Sequence, residues 1–89
     1  MGSYSLRIKA SAAKEIERIE PKKIRRQIVT RIQGLATNPR SPGCERLAGV
    51  GDRYRVRQGV YRIVYEVRDL ELVVVLVKVG HRSRVYKSL

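Results

Sequence analysis

The stretch ELVVVLVKV, from Glu71 to Val79, limits the possible folds of this chain more than any other feature. Its apolar core, Leu72 to Val77, has six residues, whereas a membrane-spanning helix needs about 20. A short, continuous apolar run is typical of a strand that is covered on both faces of a sheet. The sequence therefore predicts a central strand near the end of the chain.

Two helices are predicted between a first strand and this central one. Tyr4–Ala10 alternates apolar and basic residues, which predicts a half-buried strand, and Ser11 is suited to cap the helix that follows. Pro21 ends that helix and can occupy the first turn of the next. The second helix has the clearest period of the chain, with an apolar face and a basic face. The apolar face carries Ile24, Ile28, Ile32 and Leu35, and the basic face carries Lys22, Lys23, Arg25, Arg26 and Arg31.

The second half of the chain predicts three strands after a loop. Asn38–Asp52 is rich in proline and glycine and is predicted to be a loop. Asp52–Gln58 and Val60–Val67 precede the central strand, and their short connections require antiparallel pairing. The 89 residues are enough for one core, so we expect a single domain over residues 1–89. The predicted class is α+β, in the order β-α-α-β-β-β, with a helix hairpin packed on one face of a small, mainly antiparallel, twisted sheet.

The charge balance restricts the possible partners. Twenty Lys and Arg residues against eight Asp and Glu residues give a formal net charge of +12. Such a field attracts polyanions, so nucleic acid is the first candidate, ahead of an acidic protein and an anionic membrane. A merely soluble, highly charged surface is the alternative. The single cysteine, Cys44, excludes an intramolecular disulfide, and no secretion signal is present, so we expect a soluble, cytoplasmic protein.

Arginines alternate along the predicted strand DRYRVRQ. Tyr54 and Val56 point to one face, and Arg53, Arg55 and Arg57 point to the other. The next strand is expected to add Arg62 to the same face, away from the helices. Arginines side by side on one sheet face repel each other unless an anion lies among them.

The segment VGHRSRVY follows the central strand. Gly80 lets the backbone turn, and we expect the side chains after it to project beside the arginines. Guanidinium groups bind phosphate oxygens and stabilise a phosphoryl transition state, an imidazole moves protons near neutral pH, and a tyrosine ring stacks on a base. The same residues also have plainer roles: an exposed loop histidine, a solvated arginine and a tyrosine that anchors the tail. The residues concerned are His81, Arg82, Arg84 and Tyr86.

Carboxylates are scarce near this predicted site. Glu45 is the one acidic residue of the preceding loop that could act as a base toward a ribose hydroxyl, and a loop salt bridge is an equally good interpretation. Two-metal catalysis needs clustered carboxylates, which this half of the chain does not offer. We therefore predict no metal and no cofactor.

The order of motifs resembles the RelE branch of the RelE/ParE superfamily of toxins from toxin–antitoxin pairs. The resemblance rests on RLAGVGDRYRVRQGVYRIVYEV followed by VGHRSRVY, and it extends over essentially the whole chain. It implies an endoribonuclease, an mRNA interferase, that enters the ribosomal A site and cuts the bound codon. In that reaction the ribose 2′-hydroxyl attacks the adjacent phosphate and leaves a 2′,3′-cyclic phosphate.

The resemblance also implies roles for individual residues. Arg62 and Arg82 would stabilise the transition state, and Tyr86 would stack on the substrate. Arg55 and Arg57 stand where well-known members carry lysines, and because arginine stays protonated it is a poor proton carrier. His81 and Glu45 are then the candidate acid and base. Contacts to RNA phosphates are expected from Arg53, Arg55, Arg57, Arg84 and Lys87.

A toxin of this kind implies a partner, an acidic, partly disordered RelB-like antitoxin. It would mask the basic surface and lie in an apolar groove beside the helix hairpin. DNA contacts would come from the antitoxin, and no membrane partner is expected. Two other functions stay open at this point: a ParE-like gyrase poison, although that branch generally lacks the Arg/Tyr set, and a non-catalytic RNA- or ribosome-binding module.

Overall fold

The secondary structure follows the predicted order, with one additional short strand. The computed structural model describes residues 3–49 and 51–85. Within them the fold is α+β, as predicted, and the segment predicted to be a loop contains a two-residue strand. The elements are β1 (Ser5–Ile8), α1 (Ala10–Glu17), α2 (Lys22–Thr37), β2 (Glu45–Arg46), β3 (Arg53–Gln58), β4 (Tyr61–Arg68) and β5 (Val73–His81).

The strands form one mixed, twisted sheet in the order β1-β5-β4-β3-β2. The pairs β2–β3, β3–β4 and β4–β5 are antiparallel, which confirms the prediction for the last three strands. β1 is parallel to β5, with Ser5 opposite Val73. β5 therefore lies between two strands, and its first four residues are buried, as its apolar sequence predicts.

Both helices pack on one face of the sheet, called here the helix face. Ile28, Ile32 and Leu35 of α2 are almost completely buried, which confirms the predicted apolar face. They form one cluster with side chains of α1, β3, β4 and β5. Burial of each such side chain stabilises the fold by roughly 1.5–3 kcal/mol. No helix of the described residues is long and apolar enough to cross a membrane.

The start of α1 differs from the prediction. The helix begins at Ala10, its N-cap is Lys9, and no side chain caps it, so the assignment of Ser11 as the cap is wrong. The Lys9 N–H donates to the Leu76 carbonyl, and the Lys9 carbonyl already accepts from the Ala13 N–H. Because one residue both ends the β1–β5 pairing and opens the helix, no room remains for a separate capping residue.

A β-bulge interrupts the pairing of β4 with β5. Val64 lies opposite Lys78, whereas the next residue, Tyr65, lies opposite Leu76, so Val77 is the extra residue. An extra residue reverses the face on which all later side chains of that strand lie. Before the bulge Leu76 points into the core, and after it Val79 does.

The opposite face of the sheet carries the arginines and is called here the arginine face. A second, smaller apolar layer is buried there, outside the main core cluster. Val64 and Val85 belong to it, and Val85 lies next to the backbone of Gly80. β5 is thus covered on both faces, as predicted.

Candidate nucleic-acid interface

Three arginines share the end of the arginine face next to the β3–β4 hairpin. Directly opposite residues of antiparallel strands point to the same face, and Arg57 lies opposite Arg62. Arg55 is two residues before Arg57 and so points the same way. Val56, between Arg55 and Arg57, and Ile63, next to Arg62, are buried in the core on the helix face. We call Arg55, Arg57 and Arg62 the arginine row.

Glu45 lies against this row. β2 places it opposite Arg55, whose Nη2 donates to Glu45 Oε2 over 2.9 Å, and Arg57 Nη2 is 3.8 Å from Oε1. The hydrogen bond from Arg55, followed by the charges of Arg55, Arg57 and Arg62, lowers the pKa of Glu45 below its ordinary value. The carboxylate is therefore ionised at neutral pH, and it occupies donors that a phosphate would use.

Arg62 is half-buried, not fully exposed. Its Nη1 donates to the carbonyls of Gly59, at 3.0 Å, and of Tyr61, at 2.9 Å. Gly59 has a φ of +61°, which the tight Gly59–Val60 turn requires. Both bonds use the same nitrogen, and the guanidinium makes no further hydrogen bond within the described part of the chain. The hairpin thus holds Arg62 in place while most of its donors stay available.

The segment after β5 folds into a turn beside this hairpin. The N–H groups of Arg84 and Val85 both donate to the His81 carbonyl, and the Arg82 N–H donates to the Val60 carbonyl over 2.8 Å. The side chains of Arg82 and Arg84 are exposed. The same hairpin therefore holds Arg62 and anchors the backbone of Arg82.

His81 lies elsewhere than the sequence predicted. Its cross-strand partner is Tyr61, which packs against the core, and the two rings meet edge to face at 6.1 Å. Its Nδ1 accepts from the Ser83 N–H at 3.1 Å, which places the hydrogen of the neutral ring on Nε2. The expectation that His81 projects beside the arginine row is therefore corrected: the bulge at Val77 turns its side chain to the helix face.

Charge is distributed unevenly along the arginine face. At the end away from the hairpin, Arg53 Nε lies 3.9 Å from Glu66 Oε2, and Arg68 Nε lies 2.8 Å from Glu66 Oε1. Arg53, predicted to bind RNA, thus has a carboxylate partner there. At the hairpin end, Glu45 is the single carboxylate of the described residues that pairs with the row, and Arg82 and Arg84 form no ion pair with them. The positive charge is therefore concentrated at the hairpin end of the sheet.

Two predicted site residues, Tyr86 and Lys87, lie outside the described residues. Within residues 3–49 and 51–85, no three His, Cys, Asp or Glu side chains are close enough together to hold a metal ion.

A groove runs between α2 and the β3–β4 hairpin. Its larger part has a volume of about 710 Å³ and a largely basic wall, and it adjoins a smaller cavity of about 350 Å³ that shares Gln27 and Gln58 with it. In the smaller cavity, Ile24, Val60 and Tyr61 offer apolar surface, and Val60 is 43% exposed. The larger part is lined by Lys23, Arg26, Gln27, Thr30, Arg31 and Gln58.

The loop that leads to Glu45 is held by contacts that the sequence did not reveal. Tyr65 is fully buried, and its hydroxyl donates to the Pro39 carbonyl over 2.5 Å. The next residue, Arg40, binds both carboxylate oxygens of Asp69 at 3.0 and 2.8 Å. Together with the Tyr4 hydroxyl, Arg40 lowers the pKa of Asp69 to about 2. No local pattern predicts these contacts, because the partners are far apart in sequence.

Comparison with known proteins agrees with this architecture. The family model "ParE toxin of type II toxin-antitoxin system, parDE" matches residues 6–86. A RelE-like toxin protein of Escherichia coli is 31% identical over 83 residues, which cover 91% of this chain and 85% of that protein.

Two solved toxin–antitoxin complexes contain a similar chain. The RelBE2 complex of Mycobacterium tuberculosis has a TM-score of 0.80 and 26% identity, covering 93% of this chain and 95% of that one. The RelE–RelB complex of Pyrococcus horikoshii also has a TM-score of 0.80, with 28% identity over 92% of this chain and 98% of that one. The chain therefore belongs to the RelE/ParE superfamily and is a RelE-like toxin of a type II toxin–antitoxin system.

Proposed function

We propose that this toxin is a ribosome-dependent endoribonuclease that cuts mRNA in the A site without a metal ion. The observation that carries the proposal is the arginine row, with the exposed Arg82 anchored to the same hairpin and Glu45 the one carboxylate of the described residues that pairs with the row. Positive donors fixed around a phosphate stabilise the charge that develops in its transition state. A purely structural sheet face has little use for such an arrangement.

In the proposed reaction, the ribose 2′-oxygen attacks the neighbouring phosphorus and the bond to the 5′-oxygen breaks. The products are a 2′,3′-cyclic phosphate and a 5′-hydroxyl. Arg62 and Arg82 would hold the phosphate oxygens, and Arg55 and Arg57 would bind the strand. The scissile phosphate would compete with Glu45 for Arg55 and Arg57.

We assign the proton of the 2′-hydroxyl to Glu45, since arginine stays protonated and His81 lies toward the helix face. Water would protonate the departing 5′-oxygen, and Tyr86 would stack on the substrate base.

The proposed partner is an acidic RelB-like antitoxin. Solved relatives are toxin–antitoxin complexes, and the groove along α2 combines basic side chains in its larger part with apolar side chains in the adjoining cavity. An amphipathic acidic segment would satisfy both parts of it. The antitoxin would also make the DNA contacts, and the toxin would act in the cytoplasm, where it meets ribosomes.

The test is to map RNA ends after the toxin is mixed with programmed, stalled ribosomes, with the same RNA free in solution as control. We expect cuts within the A-site codon, with cyclic phosphate ends, only when ribosomes are present. Arg82→Ala should lower the cleavage rate about 10²- to 10³-fold, because it removes one donor from the transition state. Arg7→Ala, also exposed but on the edge strand β1, is the matched control and should cleave normally.

Equal cutting of free RNA, or no cutting by the folded toxin, would contradict the proposal. The second candidate is a ParE-like gyrase poison, because the matching family model is described as a ParE toxin. In that case the toxin would inhibit supercoiling by purified gyrase and leave ribosome-bound mRNA intact. Ribosome binding with neither effect would indicate a non-catalytic module.

A further inference from the structure

β5 has a strand on each side along only part of its length. β1 pairs with it from Ser5 opposite Val73 to Ile8 opposite Leu76, and the Lys9 N–H makes the last bond, to the Leu76 carbonyl. Beyond that point β4 continues on one side, while α1 runs along the other. The end of β5, which leads to Arg82, therefore borders a helix that offers no strand backbone to pair with.

Glu15 of α1 takes the place of the missing strand. Its Oε1 accepts the backbone N–H of Val79 at 3.0 Å, and its Oε2 accepts the Lys78 ammonium at 3.2 Å. The side chains of Glu15 and Lys78 are only 28% and 22% exposed, so the contact is partly shielded from water. A carboxylate that accepts a backbone N–H forms a stronger bond than a neutral acceptor does. Glu15 thus satisfies a backbone donor that the end of β1 leaves without a strand partner.

The geometry points to Glu15 as a positioning residue for Arg82. Val79 is three residues before Arg82, and the segment between them is held from the other side by the bond from the Arg82 N–H to the Val60 carbonyl. Gly80 packs against Val85 within it. The backbone that carries Arg82 is therefore held between α1 and the β3–β4 hairpin. This inference rests on the proposed function, in which the position of Arg82 sets the rate.

Three substitutions separate the two bonds of Glu15. Glu15→Ala removes both, and Glu15→Gln keeps an amide oxygen for the Val79 N–H but loses the charge. Lys78→Met removes the ammonium only. Glu17→Ala, the same change at an exposed position of the same helix, is the control. All are compared below their unfolding temperatures.

Three quantities are measured on each variant: the single-turnover cleavage rate on programmed ribosomes, the Kd for those ribosomes, and the hydrogen exchange rate of the Val79 amide. Glu15→Ala should cleave about tenfold or more slowly with a Kd within twofold of wild type, since a small displacement of a catalytic group costs rate. Its Val79 amide should exchange faster. Glu15→Gln, Lys78→Met and Glu17→Ala should cleave within about threefold of wild type and keep Val79 protected.

Wild-type cleavage by a folded Glu15→Ala variant would overturn the inference. So would equal losses in Glu15→Ala and Glu15→Gln, because the charge rather than the bond to Val79 would then matter. If the wild-type toxin does not cleave, the proposed function fails, and the exchange data alone decide on the contact. Unchanged Val79 exchange in Glu15→Ala would then refute the hold on the end of β5 as well.

Discussion

The hydroxyl of Tyr65 offers a sharp test of how the Glu45 loop is held. Tyr65→Phe keeps the ring, which is fully buried, and removes the bond to the Pro39 carbonyl. Pro39 is also buried, so its carbonyl would lose its partner away from water. Leaving a buried acceptor unsatisfied costs about 1–3 kcal/mol. Because the substitution keeps the ring, it creates almost no cavity. The whole cost therefore comes from the polar group.

A loss of about 2 kcal/mol is large for a chain of this size, since stabilities of whole domains are about 5–15 kcal/mol. It should lower Tm by roughly 8–16 °C. Urea unfolding, followed by far-UV circular dichroism, measures the change in free energy, and the m-value should stay the same. Under the proposed function, the rate of mRNA cleavage on programmed ribosomes should also fall below that of wild type, because the loop carries Glu45.

Tyr54→Phe is the matched control. That hydroxyl accepts from Arg40 Nε at 3.1 Å in an exposed setting, and Arg40 keeps both of its bonds to Asp69. Its cost should be below about 1 kcal/mol. A Tyr65→Phe variant within about 0.5 kcal/mol of wild type, or one less affected than Tyr54→Phe, would show that the bond to the Pro39 carbonyl does not hold the loop.

Two further predictions concern the core and acid stability. Ile28→Asp should unfold the chain, at a cost above about 4 kcal/mol, because it places a carboxylate among fully buried side chains. Gln27→Asp, on the exposed side of the same helix, is the control and should fold. Circular dichroism measures both, and a folded Ile28→Asp variant would contradict the assigned core. Asp69 has a folded-state pKa of about 2, below its ordinary 3.8, so its contribution to stability is present above that ordinary value and is lost as the pH falls from 3.8 through 2. The difference in urea midpoint between wild type and Asp69→Asn should therefore shrink over that interval, and a constant difference would exclude the assigned ion pair.

Periodicity was enough to predict most of this fold. The apolar face of α2 has a helical period, the residues of β3 alternate, and the run Leu72–Val77 is apolar throughout. Each of these patterns repeats over several residues and depends on burial, which dominates the energetics of folding. The shared face of Arg57 and Arg62 followed from the same alternation and from the short hairpin between them.

Features that depend on a single position could not be predicted. In VVVLVKV neighbouring residues are nearly alike, so nothing in the sequence marks Val77 as the bulge. The predicted face of the His81 side chain was therefore wrong. β2 is too short to show a period, and its existence depends on pairing with β3. Arg40 and Asp69 are each ordinary loop residues until the fold brings them together.

The parallel pairing of β1 with β5 has a consequence for synthesis. Ser5 finds its partner only when Val73 has been made, a wait of roughly 3–14 s at about 5–20 residues per second. β5 also pairs with β4 on its other side, so a nascent chain that stops before it lacks the strand that joins β1 to the rest of the sheet, and it lacks part of the surface on which α2 packs. Contacts of such long sequence separation form late in folding. Arg82 therefore joins the arginine row only after translation has passed β5, and a premature stop before that strand leaves a fragment that lacks Arg82 and the partner strand of β1.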